Sequence, residues 1–129
     1  MIVADTNVWA RALLNDDASE ARRARKALGA ARSQGGVFVP LVVFAELAWV
    51  LRGRWERDRV LMSLESLLMT RGVVVEASTL AQRALTSARE GHGGLADHLI
   101  VQIGFANGAK EIITFDKAFS KTPNVRLLK

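Results

Sequence analysis

Four acidic side chains stand at positions where an acid asks for a reason: Asp5, Glu46, Asp97 and Asp116. Asp5 directly follows the apolar run MIVA, and Asp116 follows IIT after one residue, Phe115. Asp97 falls in the first turn of the helix expected after Gly93-Gly94. Glu46 interrupts PLVVFAELAWVL, residues 40–51. On a helix its neighbours three and four residues away are Val42, Val43, Trp49 and Val50, all apolar, so it has no obvious solvent face. A carboxylate left alone in such surroundings costs free energy, or its pKa shifts until it is neutral. Gathered carboxylates repel one another, and a hard divalent cation supplies the compensating charge. Thr6, Asn7 and Thr114 are small polar neighbours able to orient an acid or a metal-held water. Each acid also has a plainer account. Asp5 and Asp116 could cap the helices that follow, Asp97 could complement a helix dipole, and Glu46 could pair with a buried arginine. That view needs four separate causes, whereas a metal site needs one.

The elements that would position these residues are legible from periodicity and punctuation. MIVA reads as a short buried strand, followed by a helix over about 6–14 and a longer Ala- and Arg-rich helix over about 17–33, closed near Gly35-Gly36. VFV (37–39) is a second strand, and Pro40 suits the first turn of a helix over about 41–53. Residues 56–70 put Val60, Leu61, Leu64, Leu67 and Leu68 on one stripe. VVV (73–75) is a third strand, and helices follow over about 77–90 and 95–107, separated by Gly91-His92-Gly93-Gly94. IIT (112–114) is a fourth strand and VRLL (125–128) a fifth. Short strands, apolar on both faces and alternating with helices, argue for a parallel sheet covered by helices. Ligands bind such sheets beyond the carboxyl ends of the strands, where Asp5 and Asp116 emerge and where the helices bearing Glu46 and Asp97 begin.

Composition narrows the class. The 129 residues suit one domain, and half of them are hydrophobic, enough for one core. Absence of cysteine excludes disulfides and thiolate metal sites. No apolar run is long enough to span a bilayer, and no signal peptide is evident, so a cytoplasmic protein without a membrane partner is expected. The net charge of +5 is largely arginine, clustered at Arg22, Arg23, Arg25, Lys26 and Arg32 and again at Arg52, Arg54, Arg57 and Arg59. Such clusters can contact phosphates or can be a solvated helix face; Arg22, Arg23, Arg25 and Lys26 are the candidate phosphate contacts.

The order and spacing of MIVADTNVWARAL, VPLVVFAEL, GLADHLIV and IITFDKAF resemble the PIN-domain ribonucleases, and most of all the VapC toxins of toxin–antitoxin pairs. The resemblance covers essentially the whole chain. It implies a single three-layer α/β/α domain over residues 1–129, with a central parallel sheet of four to five short strands. It further implies a Mg2+- or Mn2+-dependent endoribonuclease whose acids are Asp5, Glu46, Asp97 and Asp116, with Thr6, Asn7 and Thr114 as accessory polar groups. An RNA substrate, a cognate antitoxin and a homodimer follow from the same resemblance. Ala118 departs from it, since many relatives carry a further acid there. No histidine is required, and His92 and His98 read as surface residues. Two alternatives stand beside this reading. One is a non-catalytic PIN-like RNA- or protein-binding module. The other is a haloacid-dehalogenase-like phosphatase, disfavoured because Asn7 occupies the place of its second aspartate.

Overall fold

The computed structural model describes all residues, 1–129, which fall into two compact units, Met1–Ser78 and Thr79–Lys129.

In the first unit three short strands, β1 (Ile2–Val3), β2 (Val37–Val39) and β3 (Val73–Val75), form a parallel sheet in that order. β1 pairs Ile2 with Val37 and Val3 with Phe38, and β2 pairs Val37, Phe38 and Val39 with Val73, Val74 and Val75. The β-branched side chains favour the pleated backbone. Val37 and Val39 of the central strand are fully buried, while Ile2, Val3 and Val74 of the outer strands are exposed. Between β1 and β2 run α1 (Thr6–Leu14) and α2 (Ala18–Ser33); between β2 and β3 run α3 (Leu41–Arg52) and α4 (Arg57–Leu68).

Local chemistry starts and stops these helices. Asp5 caps α1, and Asn15 ends it in the left-handed conformation, φ 59°, with its N–H donated to the Arg11 carbonyl. Asp17 caps α2 by accepting the Glu20 N–H at 3.0 Å. Pro40 precedes α3, whose first N–H, that of Leu41, is donated to the Glu76 carboxylate at 2.8 Å. The buried faces are Ala21, Ala24 and Leu28 on α2, Phe44, Leu47 and Leu51 on α3, and Val60, Leu61, Leu64 and Leu67 on α4. Arg25 joins α2 to α1 through a 2.9 Å bond from its Nε to the Ala12 carbonyl. Gly72, at φ +85°, lets β3 start close to α2: a Cβ there would lie 2.5 Å from the Arg32 carbonyl oxygen.

The second unit contains α5 (Ser78–Glu90, beginning one residue earlier), α6 (Leu95–Ala106), and a parallel pair, β4 (Ile112–Thr114) with β5 (Val125–Leu127). A 3-10 turn over Phe119–Lys121 lies between the paired strands. This crossover is short for a parallel connection, which usually carries a full helix; Phe119, Val101 and Val125 pack as its core, with Phe105 and Ile112 against them.

All five expected strands are present and all pairings are parallel. They hydrogen-bond as sheets of three and two strands, where one sheet of four to five was expected. β1 is only two residues long and its ladder goes to β2, while β4 is satisfied by β5. The helices match their expected ranges to within two residues at either end.

Candidate active site

Asp5 and Glu46 are brought together by one residue. The Asp5 carboxylate accepts the Thr6 N–H at 2.6 Å through Oδ1. Thr6, itself buried, donates its hydroxyl to Glu46 Oε1 at 2.9 Å. The carboxylate that ends β1 and the one on the second turn of α3 are thus tied through the first residue of α1. Asp5, Thr6, Asn7 and Glu46 line one cavity of about 540 Å3 that lies wholly within the first unit. No arginine or lysine pairs with Glu46, so the buried-arginine account of this residue fails. The expected burial of Glu46 is also corrected: it is exposed, on a face shared with Val42 and Trp49, which are 66% and 81% exposed. α3 buries its opposite side instead, through Phe44, Leu47 and Leu51. Four apolar neighbours therefore did not mean a buried position, because α3 carries more apolar surface than its packing uses.

In the second unit Asp97 is the third residue of α6, and its Oδ2 accepts the Gly94 N–H at 3.1 Å, across the start of the helix. Gly93 must be glycine for this arrangement: its φ is +90°, and a Cβ would lie 2.7 Å from Asp97 Oδ2. Asp116 caps the 3-10 turn, with Oδ1 accepting the Phe119 N–H at 3.1 Å. Its own N–H is donated to the Thr114 hydroxyl at 3.0 Å, so the accessory threonine orients the acid's backbone.

The capping accounts of Asp5 and Asp116 are therefore correct as far as they go, and Asp97, expected to complement the helix dipole, also accepts the Gly94 N–H. They do not exhaust the carboxylates. Each of the four acids commits one oxygen to a local donor and leaves its second oxygen without a protein partner, and none is paired with a cation. Carboxylate oxygens are hard donors of the kind that Mg2+ and Mn2+ take. Within the structure no three acidic or histidine side chains are grouped closely enough to hold one ion. Hydrogen bonds join Asp5, Thr6 and Glu46 in the first unit, and Thr114 and Asp116 in the second.

His98, expected at the surface, is fully buried. Its Nε2 lies 2.6 Å from the His92 carbonyl and so carries the proton, and its Nδ1 accepts the Ser87 hydroxyl at 2.8 Å. Its ring also meets Phe119 edge-on, with centroids 6.0 Å apart. Through these bonds His98 ties α5 and the Gly-rich segment to the helix that carries Asp97 and to the turn that Asp116 caps. The signal was in the sequence: Leu95, His98 and Val101 recur at three-residue spacing, and all three are buried.

Among the candidate RNA contacts, Arg22, Arg23 and Lys26 are exposed on α2. Arg23 lines a second cavity, of about 360 Å3, together with Asn7 and Arg11. Arg25 is occupied by the Ala12 carbonyl and serves helix packing.

The PIN domain family matches residues 2–125, a span that takes in both units and all four acids. The chain belongs to the PIN-domain family. No curated protein matches it. Its short parallel strands and covering helices are those of an α/β PIN fold, which excludes the phosphatase alternative. PIN domains are in general metal-dependent nucleases.

Proposed function

We propose that this PIN domain is a Mg2+- or Mn2+-dependent endoribonuclease, the toxin of a toxin–antitoxin pair, acting as one domain over residues 1–129. The observation that carries the reading is the state of the acids: four carboxylates, each fixed by one oxygen, each with the other oxygen free, and none neutralised by a cation. The family resemblance names Asp5, Glu46, Asp97 and Asp116 as the acids that serve the ion. When bound, it supplies charge neutralisation at the phosphate and acidifies the attacking water. The chain's own contribution is positioning. Thr6 holds Glu46 through Oε1, leaving Oε2 to orient a water or take its proton. Gly94 and Phe119 hold Asp97 and Asp116 through their backbone N–H groups. The family resemblance supports the RNA substrate, the antitoxin and a homodimer.

The test is cleavage of single-stranded RNA by the purified protein, with the cut ends sequenced. Cutting should require Mn2+ or Mg2+ and stop in EDTA. Full activity in EDTA, with metal content measured as nil, would remove the metal-dependent reading. RNA binding with no cutting under any metal condition would leave the non-catalytic module. The toxin assignment predicts that expression arrests growth and that Asp5→Asn relieves the arrest; growth unaffected by the active enzyme would overturn it.

A further inference from the structure

The cavity that holds Asp5 and Glu46 does not end at the acids. α1 and α3 run side by side in the same direction, since Thr6 meets Glu46 and, further along both, Asp16 meets Arg54. Between them the groove changes character. Its first end is anionic, with Asp5 and Glu46; further along it is lined by Ala10, Leu14 and Val50 together with Arg11; its far end holds the guanidinium of Arg54 beside Asp16. Arg54 is set on a firm base: its N–H is donated to the Leu51 carbonyl at 2.9 Å, closing the last turn of α3. Gly53, beside it, adds no side chain to the groove. The Arg54 fork is engaged by Asp16 through both terminal nitrogens, with Nη2 to Oδ1 at 2.9 Å. The arginine side chain in this pair is 57% exposed.

A carboxylate and a phosphate present the same pair of oxygens to a guanidinium, and an exposed ion pair holds its partners only weakly. Asp16 is therefore an exchangeable occupant of a phosphate-shaped site. The distance also suits a nucleic acid strand: Thr6 to Leu14 spans about 12 Å of helix rise. Resting on the nuclease reading above, we infer that Arg54 binds a phosphate of the RNA strand about two nucleotides along from the one held at the acids. The stretch lined by Ala10, Leu14 and Val50 takes the sugars and bases between them, and Asp16 occupies Arg54 until the strand arrives. Arg54 is thus a substrate-positioning residue, and Asp16 a built-in competitor that raises selectivity for a ligand with two phosphates.

The test uses two readouts. One is anisotropy of a fluorescent RNA oligonucleotide in EDTA; the other is cleavage kinetics in Mn2+. Arg54→Gln should weaken RNA binding about tenfold, and should lower the slope of log affinity against log salt by about 0.7. KM should rise with little change in kcat. Arg54→Lys should keep the salt slope and lose part of the affinity, because the charge remains and the fork does not. Asp16→Asn should act in the opposite direction and tighten RNA binding, and that gain should vanish when it is combined with Arg54→Gln. Melting temperature and the stabilisation by Mn2+ should be unchanged in all of them. Unchanged RNA affinity in Arg54→Gln, or weakened affinity in a folded Asp16→Asn, would overturn the inference. The two readings fail separately. Binding that depends on Arg54 without any cutting upholds the subsite and defeats the nuclease. Cutting that ignores Arg54 does the reverse.

Discussion

A carboxylate that accepts one hydrogen bond and leaves its second oxygen open has lost much of its rotational freedom without losing its capacity to bind. Glu46 is in that state, held by the Thr6 hydroxyl and facing a cavity rather than an arginine. Gln has almost the same shape and can still accept that hydroxyl through its amide oxygen. Glu46→Gln should therefore change the stability of the metal-free protein by no more than about 0.5 kcal/mol. What it should change is the response to metal. A ligand stabilises in proportion to its affinity for the folded state, so the rise in melting temperature on adding Mn2+ should shrink. Cleavage should fall by about two orders of magnitude, as expected when a base that orients water is lost. Paired melts with and without Mn2+ decide it. A large loss of stability in both, with the Mn2+ increment intact, would mean that Glu46 serves the fold and not the site. The same reasoning separates the two duties of Asp97. Asn keeps an oxygen for the Gly94 N–H and gives up the charge, so Asp97→Asn should stop cleavage at unchanged metal-free stability. Asp97→Ala gives up both, and should cost about 1 kcal/mol as well.

At the scale of elements, the helix starts and stops carry predictions of their own. The Glu20 N–H holds the Asp17 carboxyl below its ordinary pKa, with lesser help from Arg11 and Arg23. A hydrogen bond from Arg126, and its charge, do the same for Glu111 beside β5. A carboxylate whose pKa is depressed by folding contributes stability that is fully present above its unfolded pKa and is lost as pH falls through the folded one. Melting temperature should thus decline on acidification below about pH 4, where unfolded carboxylates begin to protonate. Asp17→Asn keeps the cap and loses the charge, and should flatten part of that decline; an unchanged acid profile would show that the cap's charge is idle. Elements of this kind were legible because each is local. An apolar stripe, a Pro before α3 and a Gly pair after α2 act within a few residues of where they are written. The 3-10 turn at Phe119–Lys121 was not legible, since three residues hold no period to read and the turn depends on Asp116 reaching forward. Nor was the cap that Glu76 gives α3, made across the sheet from 35 residues away. The division of five strands into sheets of three and two is likewise a matter of which edges meet, and hydrophobic pattern does not specify edges.

For the whole molecule, what remained hidden was which apolar and charged groups the packing would use. Trp9 and Phe44 are buried, while Trp49 is 81% exposed, yet all three are large aromatics on apolar helices. Asp5, Asp97 and Asp116 were legible as residues at the starts of elements, whereas the exposure of Glu46 was not. His98 was misread because its burial depends on partners from α5 and the 3-10 turn, distant in sequence. The basic excess shows the same limit. The net charge of +5 and the run of arginines on α2 are plain in the sequence, but their division of labour is not. Arg22, Arg23 and Arg25 are all exposed, but Arg25 spends its Nε on the Ala12 carbonyl, whereas Arg23 lines a groove with Asn7 and Arg11. The cluster should therefore split under mutation. Arg25→Ala should lower stability by about 1 kcal/mol, the contribution of one hydrogen bond, and leave RNA affinity close to wild type. Replacing Arg22 and Arg23 together should leave the melting temperature unchanged. It should lower the slope of log affinity against log salt by about 1.4, if each contacts one phosphate of a single strand. Binding titrations at three or more salt concentrations measure this directly. A slope that does not move would assign the α2 arginines to solvation. Any positive charge that contacts RNA would then have to lie elsewhere on the surface, with Arg54 the first residue to examine.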